Sequence, residues 1–547
     1  MTLTAKLRTA ALVACGGWAL ALLFWRPAPF SITFDDAFYY FTIGRNLAHG
    51  YGSTFDRVDL TNGYHPLWQA ISVIPYWLGL DDLAAVRSLL LFQLALWAAT
   101  LWLVLGRVGD AVAGWPALAD STPARRRAAD LTLVVVTVLF VANPFLLKMV
   151  VNGLESGVEV PVLALLLARA LSCRGRFVST SSRRDRLVTS ALLALAFLAR
   201  TDAVLLFAAI GFWCLLDVGP ASDAVPLATR AVRTVEVLVV PAVVVVAYLA
   251  LNAAWFHTAL QISGTVKRLP LTAPRLVVAG IWVVLAVAAL LGCRRAPSKR
   301  SKVLRVRRFL RATGWCAAFC ILLVGYYGTL QAVPYLWYFC PLALYGMWIV
   351  LLFVADLVEG SLAEAPVGKS IALALAPALI VALPLAVGLV WQGRSFLDPG
   401  GRALMVHDRE AGVWLRHNLP PGERVASWDA GVIGYFSHRS VVNLDGVVNS
   451  KAWYDAVRNG TTPAFLRARN VRWVANHGGD VGGNDPDIGK DVDTFFGKGS
   501  AAGTRLRRAW IYDYTGTLDG SRSNTATKRM GTFVYQLTRA APAALER

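Results

Sequence analysis

The chain has 547 residues, of which 56% are hydrophobic and 16% are charged, and its mean hydropathy is +0.52. Soluble globular domains are typically about 45–50% apolar, so this composition points to a membrane protein. The formal net charge is +20. Most of the excess lies in short loops between apolar runs, and no recognition motif accompanies it, so we expect no nucleic-acid partner.

Apolar runs rich in Leu, Val and Ala fill residues 8–391, and ordinary mixed sequence follows. We therefore expect a membrane domain at 1–391 and a soluble domain at 392–547. A spanning helix needs about 20 apolar residues, and on that criterion we count about eleven spans. Their centres lie near Trp18, Leu96, Val136, Leu165, Leu195, Gly211, Val244, Val284, Leu322, Leu344 and Ile380. The run at 9–25 is long for a signal peptide and no cleavage site follows it, so it should remain as the first span.

The charge of the loops predicts how the spans are oriented. The loop 293–311 holds nine Lys and Arg residues and no acid, which is typical of the cytoplasmic side. Alternation places every strongly basic short loop on that side together with the N-terminus, namely 107–130, 174–187, 219–233, 293–311 and 357–369. The outer side receives the first outer loop at about 28–85, then 148–157, 200–203, 253–275, 326–337 and the C-terminal domain. All seven histidines fall on this outer side or at its border.

Two adjacent carboxylates, Asp35 and Asp36, follow the first span. They could cap a helix that begins there. Two like charges beside lipid are costly unless a cation or a substrate uses them, so the pair also suits a general base, a metal site or both. The sequence leaves open which aspartate is the base and whether a divalent cation (Mg²⁺, Mn²⁺ or Ca²⁺) binds there.

Planar and polar side chains follow in the same outer loop, in the segment Thr61-Asn62-Gly63-Tyr64-His65-Pro66-Leu67-Trp68. Tyr64, His65 and Trp68 supply ring faces and hydrogen-bond donors of the kind that hold sugars. The alternative is an aromatic belt at the membrane interface. We therefore treat these three residues as candidates for substrate binding.

The other outer loops carry further candidates. Glu155 lies between apolar runs, where a carboxylate is costly unless it has a partner. Arg200 and Asp202 could bind a substrate or simply pair with each other. Tyr335 and Tyr338, at the start of the tenth span, are either an aromatic belt or substrate contacts.

Two cations on an outer loop, Lys267 and Arg268, break the positive-inside pattern. An anionic phosphate at the outer interface would explain them. Ser263, followed by Gly264, could turn the chain and present a hydroxyl beside the same phosphate. We therefore predict a phosphate-binding loop here.

In chain order these residues resemble the GT-C superfamily of membrane glycosyltransferases. The resemblance rests on Asp35-Asp36, Thr61 to Trp68, Gly153-Leu154-Glu155, Arg200-Thr201-Asp202, Ser263 and Lys267, and on Trp414-Leu415-Arg416 through Pro420-Pro421-Gly422 to Gly434-Tyr435-Phe436. Mycobacterial arabinofuranosyltransferases and lipid A aminoarabinose transferases are similar in style. The resemblance implies an α-helical polytopic fold with an extracytoplasmic C-terminal α/β domain, in a bacterial plasma membrane.

The resemblance also implies an inverting glycosyltransferase that moves a sugar from a polyprenyl-phosphate donor to a glycan or lipid acceptor of the cell envelope. An aspartate would accept the proton of the acceptor hydroxyl, and Lys267, Arg268 or Arg200 would stabilise the leaving phosphate. Membrane lipids are the other expected partners. Two further functions stay open. A transporter or lipid-linked-sugar flippase would need polar residues at mid-depth in the membrane, and a glycan-binding scaffold would survive loss of both aspartates.

The C-terminal domain is predicted to be a small α/β unit that binds the acceptor or caps the site. Helices are expected at 403–418, 451–458 and 463–469, and strands at 424–428, 440–444, 471–475, 509–514 and 532–537. Residues 480–504, rich in Gly and Asp, are expected to form a loop. The spacing of Asp485, Asp487, Asp491 and Asp493 is not that of an EF-hand, so a calcium site is the weaker interpretation there.

Overall fold

The computed structural model describes residues 1–113, 115–178, 181–216, 225–293, 303–364, 376, 380, 383–391, 393–394, 400–478, 504–515 and 529–539. The predicted loop 480–504, with its four aspartates, lies almost wholly outside these residues. Helices dominate the part up to residue 364, and the five strands all follow residue 420.

Fifteen helices are described in the part of the chain that precedes residue 365. They are α1 Leu3–Phe24, α2 Ala28–Ile32, α3 Asp35–Ala48, α4 Pro66–Trp77, α5 Asp82–Ala111, α6 Pro123–Val141, α7 Pro144–Val150, α8 Ser156–Ser172, α9 Arg183–Ala199, α10 Val204–Leu215, α11 Leu227–Phe256, α12 Ile262–Val266, α13 Ala273–Cys293, α14 Leu304–Leu330 and α15 Cys340–Glu364. Residues 383–391 are also helical.

Among the described residues, six helical segments are long enough and apolar enough to cross a membrane: α1, α5, α11, α13, α14 and α15 with the short turn before it. The pair α6 and α7 adds a seventh if it is one span with a bend of 56°. Ten of the eleven predicted centres lie in helices of this series, although α8 and α9 have only 17 residues each and α10 has 12. The chain is thus a multi-pass membrane protein, and the count of about eleven spans stays a prediction.

The bend between α6 and α7 follows from the sequence Ala142-Asn143-Pro144. Proline has no N–H to donate and favours the first turn of a new helix. The side chain of Asn143 accepts a hydrogen bond from the backbone N–H of Phe145 at 2.9 Å and so caps α7. The break sets α7 across the end of the bundle, beside the start of α15.

The predicted cytoplasmic segments meet at one end of the bundle. Arg305, at the start of α14, pairs with Asp356 of α15 at 2.9 Å, and its guanidinium lies 5.8 Å from the ring centroid of Trp115. Trp115 donates to Asp130, which also pairs with Lys6 at 2.6 Å. The N-terminus and the basic loops 107–130 and 293–311 therefore share one end, as their charge predicted.

The predicted outer loops meet at the opposite end. Tyr327 lies near the other terminus of α14, about 30 Å from Arg305 at 1.5 Å per helical residue. Its hydroxyl donates to Asp202 at 2.5 Å, and the backbone N–H of Thr201 donates to His65 at 3.2 Å. These contacts join the loops 28–85, 200–203 and 326–337. Which end faces the cytoplasm stays a prediction.

The C-terminal part forms a mixed five-stranded sheet with order β2-β1-β3-β5-β4. The strands are β1 Arg424–Ser427, β2 Ser440–Asn443, β3 Val471–Gly478, β4 Thr504–Thr515 and β5 Arg529–Arg539, with helices α16 Gly400–Asn418, α17 Gly431–Ser437, α18 Lys451–Arg458 and α19 Thr462–Ala468. β1 runs parallel to β2 and β3, whereas β5 runs antiparallel to β3 and β4. Each helix and strand predicted here is observed, and β3, β4 and β5 extend beyond their predicted ends.

Ion pairs fasten this α/β unit to the first outer loop. Arg469 binds Asp59 with two hydrogen bonds of 2.5 and 2.6 Å, and Arg424 pairs with Asp56. The planar guanidinium suits a carboxylate held by two parallel bonds. The unit therefore lies against the end of the bundle at which the predicted outer loops meet.

Candidate functional site

A cleft with about 480 Å³ of space, including its open mouth, lies where the outer loops and the α/β unit meet. Seven predicted site residues line it: Asp36, Tyr64, His65, Glu155, Ser263, Lys267 and Tyr338. The remaining lining residues are Tyr39, Tyr40, Ile43, Gly63, Leu154, Trp337, Val447 and Val448. Side chains from four outer loops and from the C-terminal unit therefore converge on one volume.

Asp36 and Lys267 form the charged pair of the cleft. The carboxylate of Asp36, in the first turn of α3, lies 3.7 Å from the ammonium of Lys267, which directly follows α12. Lys267 also donates to the hydroxyl of Tyr338 at 3.4 Å and lies 4.8 Å from the ring centroid of Tyr335. The Asp36 side chain is 30% exposed, so it can meet a substrate that enters the cleft.

Burial and the neighbouring charges shift the pKa values of Asp36 and Lys267. Burial raises the pKa of Asp36, although the neighbouring Lys267 opposes that rise. For Lys267, burial alone would lower the pKa, but Asp36 and the two tyrosine hydroxyls raise it above the usual range. The lysine therefore stays charged at neutral pH, while the carboxyl is a better proton acceptor than an ordinary aspartate.

Asp35 has a different partner from Asp36. Its two carboxylate oxygens accept hydrogen bonds from the backbone N–H groups of Gly431 and Val432 at 2.9 and 2.7 Å. It thus satisfies the first amides of α17 and holds the α/β unit to the membrane part. Of the two predicted catalytic aspartates, only Asp36 lines the cleft, and whether a divalent cation binds there stays a prediction.

A buried ion network forms the floor beside the cleft. Arg200, with a side chain 1% exposed, donates to Glu155 at 2.6 Å and to Asp202 at 2.7 Å. Tyr40 donates to the other oxygen of Glu155 at 2.9 Å, and Tyr327 binds Asp202. The sequence left open whether Arg200 and Asp202 simply pair. They do, and Glu155 is a second carboxylate partner of the guanidinium, whereas binding of a phosphate by Arg200 stays a prediction.

His65 is a neutral donor at the wall of the cleft. Its Nδ1 accepts the backbone N–H of Thr201 at 3.2 Å, so the ring proton of the neutral form sits on Nε2, which lies 3.7 Å from Glu155 Oε1. Burial lowers the pKa of His65, although Glu155 opposes that shift. A neutral imidazole N–H beside a carboxylate can bind one hydroxyl of a sugar from both sides.

Asn62 and Gln261 hold the loop that carries Ser263 and Lys267. Asn62 donates to the carbonyl of Leu260 at 3.1 Å and accepts the N–H of Ile262 at 3.0 Å. Gln261 donates to the carbonyl of Tyr64 and accepts the hydroxyl of Thr201 at 3.0 Å. The sequence analysis did not select these two residues, because Asn and Gln are common in loops and their partners are about 60 to about 200 positions away along the chain.

Six predicted residues lie outside the cleft lining: Asp35, Arg200 and Asp202, described above, and Trp68, Arg268 and Tyr335. Trp68 is fully buried in the core and donates its indole N–H to the carbonyl of Gly153 at 2.7 Å. Arg268 is exposed and its backbone pairs with Gln331. Tyr335 stacks on Trp337 with ring centroids 4.5 Å apart, so it supports the lining from behind. The prediction that Trp68 contacts a substrate is wrong for this structure, because its ring fills the core instead.

The C-terminal unit contributes a second acidic group near the mouth. Asp445 accepts the hydroxyl of Tyr39 at 3.1 Å and the backbone N–H of Asp429 at 3.0 Å. Burial, and then the charge of Asp429, raise the pKa of Asp445 to about 6. Val447 and Val448, which follow, are the apolar residues that the C-terminal unit adds to the cleft lining.

Asp81, Asp82 and His438 form the group of metal-capable side chains found among the residues that the structure describes, with one ligand atom each within 4.8 Å of the others. Arg45 donates to Asp81 at 3.3 Å, and Arg416 donates to Asp82 at 3.1 Å. His438 Nε2 lies 2.8 Å from Asp82. Two guanidinium groups already supply the positive charge, so this cluster joins α5 to α17 as an ion-pair network.

Residues 401–530, in the C-terminal part, match a family model described as a domain of unknown function (DUF8728). No curated protein matches the chain. One similar solved structure is the crystal structure of the Archaeoglobus fulgidus oligosaccharyltransferase tethered through a disulfide bond to an acceptor peptide that contains the NVT sequon. The two are 13% identical with a TM-score of 0.45, and the match covers 85% of this chain and 68% of that one.

Proposed function

We propose that this protein is an inverting glycosyltransferase of the GT-C type. It transfers a sugar from a polyprenyl-phosphate donor to a glycan or lipid acceptor of the cell envelope, at the outer face of a bacterial plasma membrane. The proposal assigns Asp36 as the base and Lys267 as the group that binds the donor phosphate. Tyr64, His65, Glu155 and Tyr338 are assigned to the sugar.

The observation that carries the proposal is the 3.7 Å pair of Asp36 and Lys267 inside a cleft lined by rings and neutral donors. A transfer from a lipid phosphate needs an acceptor for one proton and a cation for the phosphate, close enough to act on the same sugar. The cleft offers both groups side by side, at the end of the bundle where the predicted outer loops meet.

In the proposed reaction the acceptor hydroxyl attacks the anomeric carbon, and its proton passes to the Asp36 carboxylate. The new bond joins the acceptor oxygen to that carbon, and the bond from the carbon to the phosphate oxygen breaks with its electron pair. Polyprenyl phosphate leaves, and the anomeric configuration inverts. Atoms and charge balance without a nucleotide or a redox partner.

Lys267 has the geometry to stabilise the leaving group. Negative charge grows on the phosphate as the glycosidic bond breaks, so a cation contact strengthens toward the transition state. The hydroxyl of Tyr338, 3.4 Å from the ammonium, and that of Ser263 in the same lining are donors for the phosphate oxygens. Arg200 already pairs with Glu155 and Asp202, so we assign this role to Lys267.

The test compares Asp36→Asn with Asp35→Asn in the purified full chain, supplied with synthetic polyprenyl-phosphate sugars and envelope acceptors. We expect Asp36→Asn to lower turnover by about 10²–10⁴ while thermal stability changes little. Asp35→Asn should weaken the caps on Gly431 and Val432 and lower stability by roughly 0.5–2 kcal/mol, with most turnover per folded molecule retained.

Full specific activity of Asp36→Asn would remove the base from the mechanism. Wild-type protein that binds lipid-linked sugars but transfers none of them, across a panel of donors and acceptors, would instead favour the flippase or scaffold alternatives.

A further inference from the structure

Lys148 is a partly buried cation at the cleft end of the bundle. It lies in the last turn of α7, and its ammonium is 4.6 Å from the ring centroid of Phe34. Among the residues that the structure describes, no carboxylate pairs with it. Arg200, Lys267 and Arg45 at the same end each have an acidic partner within 4 Å.

A partly buried ammonium without an acid is costly. A cation over an aromatic ring gains little, whereas taking a charge out of water costs more unless it is paired and hydrogen-bonded. The cost falls if an anion supplies the missing charge. At the end of a membrane-spanning bundle the anion within reach is the phosphate of a lipid.

The surroundings of Lys148 fit a lipid phosphate on the rim of the cleft. Phe34 packs on Trp337 with centroids 4.5 Å apart, and Trp337 lines the cleft. Tyr335 also stacks on Trp337, and the ammonium of Lys267 lies over the ring of Tyr335. The two lysines therefore flank one aromatic wall, with Lys267 inside the cleft and Lys148 outside it.

An apolar surface continues from this wall into the membrane region. Leu336 is 56% exposed, and Val333 is 46% exposed. Aromatic rings with a cation on one side and exposed aliphatic side chains on the other are the pattern of a membrane–water interface. A lipid could place its phosphate on Lys148 and its chain along Leu336.

We propose that Lys148 binds the phosphate of a lipid at the membrane-facing rim of the cleft, outside the catalytic pair. The ligand class is a lipid with a phosphate at the end of an isoprenoid or acyl chain. This inference does not depend on transfer, because the site is defined by binding. If the lipid is the donor or its released carrier, the site lies on the path by which that lipid reaches Lys267.

The test is lipid binding by the purified full chain in a neutral detergent, followed by native mass spectrometry and thermal unfolding. The probes are a polyprenyl phosphate, the matching polyprenol, dioleoyl phosphatidylglycerol and dioleoylglycerol. We expect the phosphate-bearing lipids to bind and stabilise the wild type more than their phosphate-free counterparts. Lys148→Gln should weaken that binding about tenfold, as for loss of a hydrogen bond to a charged group, and Lys148→Arg should retain most of it.

Two further variants separate the possible outcomes. Lys451→Gln, in α18 of the C-terminal unit, should bind like the wild type, and Asp36→Asn should also keep binding although it lowers transfer. If Lys148→Gln loses binding of polyprenyl phosphate alone, the occupant is the donor or its released carrier. If the variant loses binding of both phosphate-bearing lipids, the site is a general lipid-phosphate site. Wild-type affinity of Lys148→Gln for both would overturn the inference, whatever becomes of the proposed reaction.

Discussion

At the scale of single residues, neighbouring identical side chains have different partners. Asp35 and Asp36 are adjacent in the first turn of α3, yet one accepts amides of α17 and the other meets Lys267. Consecutive residues of a helix point about 100° apart, so two aspartates in a row face different surfaces. One aspartate thus docks the α/β unit and the other lines the cleft, a difference that the residue types do not reveal.

The role assigned to Lys267 predicts how turnover responds to its removal. We expect Lys267→Gln to lower turnover at saturating donor, because the lost contact is strongest in the transition state, and Lys267→Arg to retain part of it. Arg275 is a half-buried cation of the same outer region that donates to the carbonyl of Pro270 at 2.7 Å. Arg275→Gln is therefore the matched control and should turn over normally. Normal turnover of Lys267→Gln at saturating donor would show that the lysine merely anchors the loop.

The pH profile follows from the same pair. Burial raises the pKa of Asp36, so its carboxylate form, which a base requires, is lost at a higher pH than in an ordinary aspartate. Turnover at saturating substrate should therefore fall as the pH drops, with a midpoint above about 3.9. Lys267→Gln removes the cation that opposes the rise, so its residual activity should fall at a still higher pH. A midpoint that moves to lower pH in this variant would contradict the assignment.

At the scale of elements, the cleft depends on close backbone contacts between loops that are distant in sequence. A Cβ at Gly63 would collide with the carbonyl oxygen of Val447, whereas a Cβ at Gly264, in α12, would meet no atom within 4 Å. Gly63 thus lets the first outer loop lie directly against the wall formed by Val447 and Val448. A side chain at this position would push these two lining segments apart.

This contact predicts opposite effects for two glycine substitutions. Gly63→Ala should displace the Val447 segment and lower the free energy of unfolding by about 1–3 kcal/mol, as overpacking does, and it should lower transfer as well. Gly264→Ala should be neutral or stabilise slightly, because alanine favours a helix over glycine by about 1 kcal/mol. Thermal unfolding of both variants in the same detergent checks the prediction, and equal effects would contradict it.

At the scale of the whole molecule, charge is separated along the bundle. The paired basic segments around Arg305 and Lys6 lie at one end, and the cleft with its histidine and carboxylates lies at the other. Since the excess of Lys and Arg marks the cytoplasmic side, the cleft and the α/β unit should face outward.

Reporter fusions test that orientation. A reporter fused after Gly393 should be active only outside the cytoplasm, and one fused near Ser298 should be active only inside. The reverse result at either position would place the cleft on the cytoplasmic face and would exclude an outer-leaflet donor.

The sequence by itself determined the features that depend on short stretches. Apolar runs of spanning length predicted the helices, the alternation of basic loops predicted which segments share an end, and turn residues predicted the strands and helices after residue 400. The sequence also identified seven of the residues that line the cleft, because polar side chains next to apolar runs are energetically costly and often mark a functional site.

Only the tertiary structure decided the partners. Asp36 rather than Asp35 lines the cleft, Arg200 pairs with the distant Glu155 as well as with its near neighbour Asp202, and Trp68 fills the core. Each outcome depends on a contact with a residue more than thirty positions away or on the face of a helix. Asn62, Gln261 and Asp445 were not predicted as site residues for the same reason. Their side chains contact the site only through residues that folding brings close. A sequence pattern records local preference, whereas burial, pairing and neutralisation are properties of contacts made across the fold.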